Sequence, residues 1–223
     1  MKNSYYFEAQ DLVIDVIHSS EWVTTMMHLM KLAGNNLYEH SIHVALLTAS
    51  MALSGNQELL SDISIHSLIL GAFLHDIGYI GVPCIPNRLV MDLEYNPIEK
   101  MAFDIHITAG IEQVRLHTKD HIVLDIVSKH HEYLDGSGAP YGLTGNAIPR
   151  YVRLVALSNF LVNYSSSPIL FSNEKPPYLI NALYSALTDK NINQKYDVSI
   201  LKLFLSDINI RFKNLSPLLA RLV

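Results

Sequence analysis

Five of the eleven histidines in this chain occupy positions from which their imidazoles could bind a metal together. Each of the five lies on the apolar face of a predicted helix or at its end, and Asp76 directly follows one of them. Imidazoles from separate helices can converge in the core of a helical bundle, where metal sites are commonly built. An adjacent carboxylate can bridge two cations. The pattern therefore predicts a metal centre that contains His40, His75, Asp76, His106, His130 and His131.

A lone histidine on an apolar face is more often a core residue than a ligand, so the prediction depends on the number of histidines and their shared placement. The other six histidines lack this placement, and we interpret them as structural or surface residues. They are His18, His28, His43, His66, His117 and His121.

Helices are predicted along most of the chain, and they would hold these histidines. His40, Val44, Leu47 and Met51 recur at spacings of four, three and four, which predicts a helix over 37–53. No stretch alternates as a strand would, so the sequence predicts an all-α fold. Further helices are predicted over 64–76, 97–117, 120–133, 149–164, 178–188 and 198–212.

The composition argues against several classes of protein, binding partner and metal site. Hydrophobic residues make up 49% of the 223 residues and charged residues 17%, which excludes a largely disordered chain. A formal net charge of −5 argues against binding to a nucleic-acid polymer or an anionic membrane. The single cysteine, Cys84, excludes an internal disulfide and a zinc site built from several cysteines.

A cytoplasmic protein without a membrane segment is expected. The first residues lack a basic region followed by an apolar one, which a secretory signal would require. The most apolar window, residues 63–82, contains His66, His75 and Asp76, so a buried helix explains it better than a membrane span.

Residues 36–164 contain an ordered set of motifs: His40-Ser-Ile-His-Val-Ala45, His75-Asp-Ile-Gly78, His106-x-x-x-Gly110 and His130-His-Glu-x-x-Asp-Gly-Ser-Gly-x-Pro140. This set resembles the HD-GYP family, a branch of the HD superfamily of metal-dependent phosphohydrolases. The resemblance implies an HD-type helical bundle, two divalent cations that are usually Fe or Mn, and hydrolysis of a cyclic dinucleotide such as cyclic di-GMP.

The resemblance also implies a role for each residue. His40, His75 and Asp76 would bind the first metal, and Asp76 would bridge to a second metal that His106, His130 and His131 complete. His75 and Asp76 would thereby be the catalytic pair, because the cations they hold would activate water for attack on phosphorus. Substrate contacts are expected at Tyr79, Gly138 and Arg153, although a structural ion pair of Arg153 with an acid such as Asp135 is an equal alternative.

Four positions depart from the family pattern. Asn159 stands where the family has a metal-binding Asp, so we expect it to face the first metal as a neutral and weaker ligand. Tyr79 replaces a Lys that helps to hold the substrate phosphate. Ala139 replaces the Tyr of the Gly-Tyr-Pro signature. Asn36 stands where members with three metals have a Glu, which favours two metals or one.

The predicted organisation is an N-terminal helical extension over 1–35 followed by an HD-GYP-like domain over 36–223. That domain would hold its core motifs in 36–164 and C-terminal helices in 178–214, with a polar excursion over 165–177 between them. Whether the extension packs on the bundle or forms a dimer face is left open, and both a homodimer and a signalling protein partner are compatible with it.

Three functions compete at this point. The first is an active metal-dependent phosphodiesterase that acts on a cyclic dinucleotide, which the retained histidines and Asp76 favour. The second is a degenerate relative that binds metal, nucleotide or a signalling partner without catalysis, which Asn159, Tyr79 and Ala139 favour. The third is an HD phosphohydrolase that acts on another nucleotide.

Overall fold

The described part of the computed structural model comprises residues 4–54, 58, 61–82, 97–164, 183 and 186–211. In this part the chain forms α-helices and 3₁₀ turns, with a single isolated β-bridge between Asp135 and Thr144. The all-α prediction is confirmed. The helices are α1 (Ser4–Ile17), α2 (Glu21–Ala33), α3 (Asn35–Leu53), α4 (Ile65–Leu74), α5 (Pro97–Arg115), α6 (His121–Lys129), α7 (Arg150–Tyr164), α8 (Lys190–Lys195) and α9 (Val198–Arg211), and the 3₁₀ turns are Ile77–Gly81 and Gly145–Ala147.

Helix starts follow from short polar side chains that accept hydrogen bonds from the first turn. Ser64 Oγ accepts the Ser67 N–H at the start of α4, and Asp120 Oδ1 accepts the Ile122 N–H at 2.9 Å at the start of α6. Pro97 begins α5, where its missing N–H costs no helical hydrogen bond. The predicted helices over 37–164 therefore begin and end within a few residues of the observed ones.

The centre of the bundle is α4, whose residues Ser67–Leu74 are all buried. A helix that is apolar on every side is stable only when other elements surround it. α3 and α6 pack against α4, and α7 packs against α3 and α6. The apolar window over 63–82 is thus a buried helix, as predicted. Among the described residues no helix is both long and apolar enough to cross a bilayer.

The N-terminal helices belong to the same core. α1 packs on α3 and α4 through Ala9, Val13 and Val16, which are at most 2% exposed. α2 packs on α3 and on the turn Ile77–Gly81, and Trp22 stacks on the ring of His117 at 5.1 Å between ring centroids. Of the two arrangements left open by the sequence, the structure shows packing on the bundle.

The C-terminal part is described only in pieces. The helix predicted over 198–212 is confirmed by α9. Leu183 and residues 186–188 are helical, whereas the rest of the helix predicted over 178–188, the excursion over 165–177 and Cys84 lie outside the described residues. The short helix α8 was not predicted, because its polar run shows no apolar stripe and Asp189 alone signals its start.

The turn Ile77–Gly81 crosses α5 at very close range. A Cβ atom at Gly78 would lie 1.8 Å from the carbonyl oxygen of His106 and 2.6 Å from the backbone nitrogen of Gly110. Only a residue without a side chain allows this approach. The crossing fixes residues 75–78 directly beside the residue His106 of α5.

We predict that Gly78→Ala lowers the free energy of unfolding by about 3 kcal/mol, because a methyl group overlaps backbone atoms that cannot move aside. Gly81→Ala in the same turn is the matched control, since no atom of the described residues lies within 4 Å of a Cβ there, and it should change stability by less than about 0.5 kcal/mol. Urea denaturation of both variants measures the difference. Equal midpoints would contradict the close crossing.

Candidate metal centre

Four elements bring the predicted histidines to one place in the core. His40 comes from α3, His75 and Asp76 lie between α4 and the following 3₁₀ turn, and His106 comes from α5. His130 and His131 follow the last residue of α6. The ligand atoms form two groups that share Asp76, and within each group they lie within 4.8 Å of one another. One group is His40, His75 and Asp76, and the other is Asp76, His106, His130 and His131.

The carboxylate of Asp76 lies between the two groups and is completely buried. Its Oδ2 faces the first group, at 3.1 Å from His75 Nε2 and 3.5 Å from His40 Nε2. Its Oδ1 faces the second group, at 3.3 Å from His130 Nε2 and 3.6 Å from His106 Nε2. Each oxygen therefore serves one group, as a carboxylate that bridges two cations must do.

Backbone carbonyls set the tautomer of three of these imidazoles. The Nδ1–H of His75 donates to the carbonyl of Ala72 at 2.7 Å, and that of His106 donates to the carbonyl of Phe103 at 2.5 Å. The Nδ1–H of His130 donates to the carbonyl of Val127 at 3.1 Å. With the proton on Nδ1, each neutral ring directs the lone pair of Nε2 toward Asp76.

Burial favours the neutral form of four of these imidazoles. It lowers the pKa of His40 to about 3 and that of His106 to about 4, and it also lowers the pKa values of His130 and His131. Burial raises the pKa of Asp76, but the neighbouring His75 and His130 outweigh it and hold this pKa well below its usual value.

This arrangement fits divalent cations. Neither oxygen of Asp76 has a hydrogen-bond partner among the described residues, and the same is true of the buried Nε2 of His131. Buried acceptors without donors are costly, and the Nε2 atoms of His75, His106 and His130, whose protons lie on Nδ1, face the carboxylate as further acceptors. Cations between them would satisfy every one of these atoms. Imidazole and carboxylate are ligands that suit Fe, Mn and Zn.

Asn159 lies beside the first group, as its place on α7 predicts. Its side chain is 4% exposed and hydrogen-bonds to His40, where it raises the pKa of the imidazole against the larger effect of burial. Its Oδ1 also accepts a hydrogen bond from Asn163 Nδ2, one turn further along α7, at 2.7 Å. The amide oxygen of Asn159, which would face a first cation, is therefore already the acceptor of a hydrogen bond from Asn163.

Tyr79 is buried against a predicted ligand. Its ring is stacked on the imidazole of His106 with 4.3 Å between centroids and 6° between planes, and the residue is 1% exposed. Because the turn that carries Tyr79 crosses α5 at Gly78, the ring lies directly on His106. The structure thus shows a contact with the metal centre at this position, and a contact with substrate stays a prediction.

Arg153 makes the structural ion pair that was the alternative to a phosphate contact. Its Nη1 lies 3.2 Å from Asp197 Oδ2, so the partner is Asp197 and not Asp135. Its other donors reach the carbonyls of Ile148 and Gly145 and the side chain of Asn146. The guanidinium therefore joins the end of the loop before α7 to the residue before α9.

Gly138 packs against the main chain that carries the last two histidines. A Cβ atom there would lie 2.3 Å from the backbone nitrogen of Tyr133 and 2.5 Å from the carbonyl oxygen of His131. The glycine is therefore required by the close approach of the loop to residues 131–133. Its predicted contact with substrate stays a prediction.

One residue of the centre's surroundings was not identified from the sequence. Glu132 follows His131, is 2% exposed, and accepts hydrogen bonds from two backbone N–H groups of the loop after it. A signal was present, since a charged residue within a run of buried positions requires partners. Those partners could not be named, because they depend on the path of the loop.

Comparison with known proteins agrees with the geometry. The family model of the HD domain matches residues 37–160, which is more than half of the chain. Among curated relatives, a probable cyclic di-GMP phosphodiesterase of Vibrio cholerae is 31% identical over 135 residues, which are 56% of this chain and 30% of that protein. A 3'3'-cGAMP-specific phosphodiesterase of the same organism is 30% identical over 123 residues, 55% of this chain and 27% of that protein.

The chain thus spans less than a third of the length of these two relatives. A solved structure described as Bd1817, a HDG"Y"P protein from Bdellovibrio bacteriovorus, superposes with a TM-score of 0.60 at 21% identity. The superposition covers 95% of this chain and 64% of that one, and it confirms the HD-type helical fold. By its motifs, its fold and the family match, the chain belongs to the HD domain family.

Proposed function

We propose that this chain is a metal-dependent phosphodiesterase that hydrolyses a cyclic dinucleotide such as cyclic di-GMP. The observation that carries the proposal is the convergence of four imidazole Nε2 atoms on the two oxygens of Asp76. The names of the relatives support the substrate class, since they describe a probable cyclic di-GMP phosphodiesterase and a 3'3'-cGAMP-specific phosphodiesterase.

In this proposal two divalent ions, Fe or Mn, are held by the two groups that share Asp76. His40, His75 and Asn159 complete the first group, and His106, His130 and His131 complete the second. When bound, such a pair of cations lowers the pKa of water and neutralises charge on phosphate oxygens. His75 and Asp76 are the central pair, because Asp76 contributes to both groups and His75 lies nearest to it.

The protein's own residues provide the charge and the access that this reaction needs. Neutral imidazoles and a single carboxylate leave two divalent ions with a net positive charge, which attracts a phosphodiester despite the chain's formal charge of −5. The side chains of His75, Asp76, His106 and His130 are completely buried, whereas that of His40 is 9% exposed. Substrate would therefore approach from the side of His40 and Asn159.

Binding without turnover is the second candidate, and one contact favours it. The oxygen of Asn159 accepts a hydrogen bond from Asn163, which weakens it as a ligand at the side from which substrate would enter. Substrate contacts by Tyr79, Gly138 and Arg153 stay predictions, since the structure engages all three with neighbouring protein groups. Hydrolysis of a different nucleotide is the third candidate.

Incubation with a panel of cyclic dinucleotides, linear dinucleotides and cyclic mononucleotides in the presence of Mn²⁺ or Fe²⁺ tests the function. We expect a cyclic dinucleotide to be cleaved by the wild-type chain and not by Asp76→Asn, which loses the charge shared by both groups. Asp135→Asn is the matched control, since Asp135 is exposed and its side-chain hydrogen bonds within the described part of the chain stay in its own turn, to Ser137. Binding without product would establish the second candidate, and cleavage of another nucleotide alone would establish the third.

The substitution Asn159→Asp tests whether residue 159 is a metal ligand that the neutral amide makes weak. A carboxylate at this position adds a negative charge to the first group, so we expect tighter metal binding, with more metal per chain after purification without chelator. Hydrolysis should increase together with occupancy. Asn191→Asp, which adds the same charge at an exposed position of α8, should change neither quantity. If Asn159→Asp also changes neither quantity, Asn159 is not a ligand.

A further inference from the structure

Glu132 closes the loop between α6 and α7 onto the histidines that precede it. Its Oε1 accepts the backbone N–H of Tyr141 at 2.6 Å, and its Oε2 accepts that of Leu143 at 2.6 Å. The side chain is buried, with the residue 2% exposed. A buried carboxylate that receives two charge-assisted hydrogen bonds from the backbone holds the loop firmly in place.

The same loop also contacts the main chain of His131 and of the residues that follow it. The carbonyl of His131 accepts the N–H of Ala139 at 3.0 Å, and Gly138 lies in contact with residues 131–133. At the far end of the loop, the N–H of Gly145 donates to the carbonyl of Leu134 at 3.0 Å. Residues 131–134 thus leave α6 along a path that the loop determines.

His131 depends on this path more than its neighbours do. His75, His106 and His130 each anchor Nδ1 on a carbonyl three residues earlier, whereas the His131 ring has no such anchor among the described residues. Among the described residues its ring packs on three other rings, with centroid distances of 4.9 Å to Phe103, 5.2 Å to His106 and 4.2 Å to His130. The direction of its Nε2 therefore follows from the position of its main chain.

We propose that Glu132 is a positioning residue of the metal centre. Through its two backbone hydrogen bonds it holds the loop in place, and it thereby orients the His131 imidazole toward the second group. The inference rests on the metal centre of the proposed function and assigns Glu132 no contact with metal or substrate. It explains why a charged residue is buried one position after a ligand. It also places the loop segment of residues 138–145, which contacts the main chain after His130, among the parts that shape the second group.

Replacing Glu132 by Gln tests the two backbone hydrogen bonds, because it changes the carboxylate without changing the volume of the side chain. Glutamine keeps the shape of glutamate, but its amide group would turn an N–H toward one of the two backbone N–H donors, now 2.6 Å away. One of the two hydrogen bonds is then lost and a donor faces a donor. The loop and the main chain of His131 should shift as a result. Loss of a residue that orients a metal ligand typically costs 10–100-fold in metal affinity.

The test is titration of the full metal-free chain with Co²⁺, followed by visible absorption, in wild type, Glu132→Gln and Asp135→Asn. We expect Glu132→Gln to weaken Co²⁺ binding by about 10–100-fold and to change the absorption spectrum, which reports coordination geometry. Asp135→Asn is the control in the same loop, because the Asp135 side chain hydrogen-bonds to Ser137 alone among the residues that the structure describes, and this variant should match wild type.

A purely structural role predicts a different result. Glu132→Gln would then lower the melting temperature of the metal-free chain while the affinity and the spectrum stayed at wild-type values, and this would overturn the proposal. If the Gln variant does not fold, Glu132→Asp decides, since its shorter carboxylate retains the charge; wild-type Co²⁺ affinity and spectrum in that variant would also overturn the proposal. Failure of the wild-type chain itself to bind Co²⁺ would instead contradict the metal centre of the proposed function.

Discussion

The buried carboxylate of Asp76, surrounded by imidazole nitrogens, is the constraint on which the rest of the structure depends. A carboxylate in an apolar core is costly unless its charge is compensated, and no hydrogen-bond donor compensates it among the described residues. Burial lowers the pKa values of His40 and His106, which favours their neutral forms, and the Nδ1–H groups of His75, His106 and His130 donate to backbone carbonyls. Divalent cations would resolve this conflict, because they would bind the imidazole lone pairs and the negative charge together.

The surrounding architecture serves to keep these groups in place. α4 is buried on all sides and delivers His75 and Asp76 at its end, while the close crossing at Gly78 fixes the distance to His106. Tyr79 stacks on the His106 ring. The loop after α6 is held by Glu132 near the histidines and by Arg153 at its far end. His106 is therefore positioned by one part of the chain, and His130 and His131 by another.

Most of the helices and the cluster itself could be predicted from the sequence, since apolar periodicity defines helix faces and the histidines lie on those faces or at helix ends. The contact of Asn159 with Asn163 follows the four-residue spacing of a helix and could have been predicted as well. The partner of Arg153 could not, because Asp197 is 44 residues away and is brought near by tertiary packing. The stacking of Tyr79 on His106 likewise depends on a crossing between two elements that local pattern does not specify.

The most direct test of the account is anomalous X-ray diffraction from crystals of the full chain supplied with Mn²⁺. Two anomalous peaks about 3.5–4 Å apart are expected. One peak should lie against Oδ2 of Asp76 with His40 and His75, and the other against Oδ1 with His106, His130 and His131. Absence of both peaks, or peaks only at sites remote from Asp76, would contradict the central claim that this carboxylate and the imidazoles around it form a metal centre.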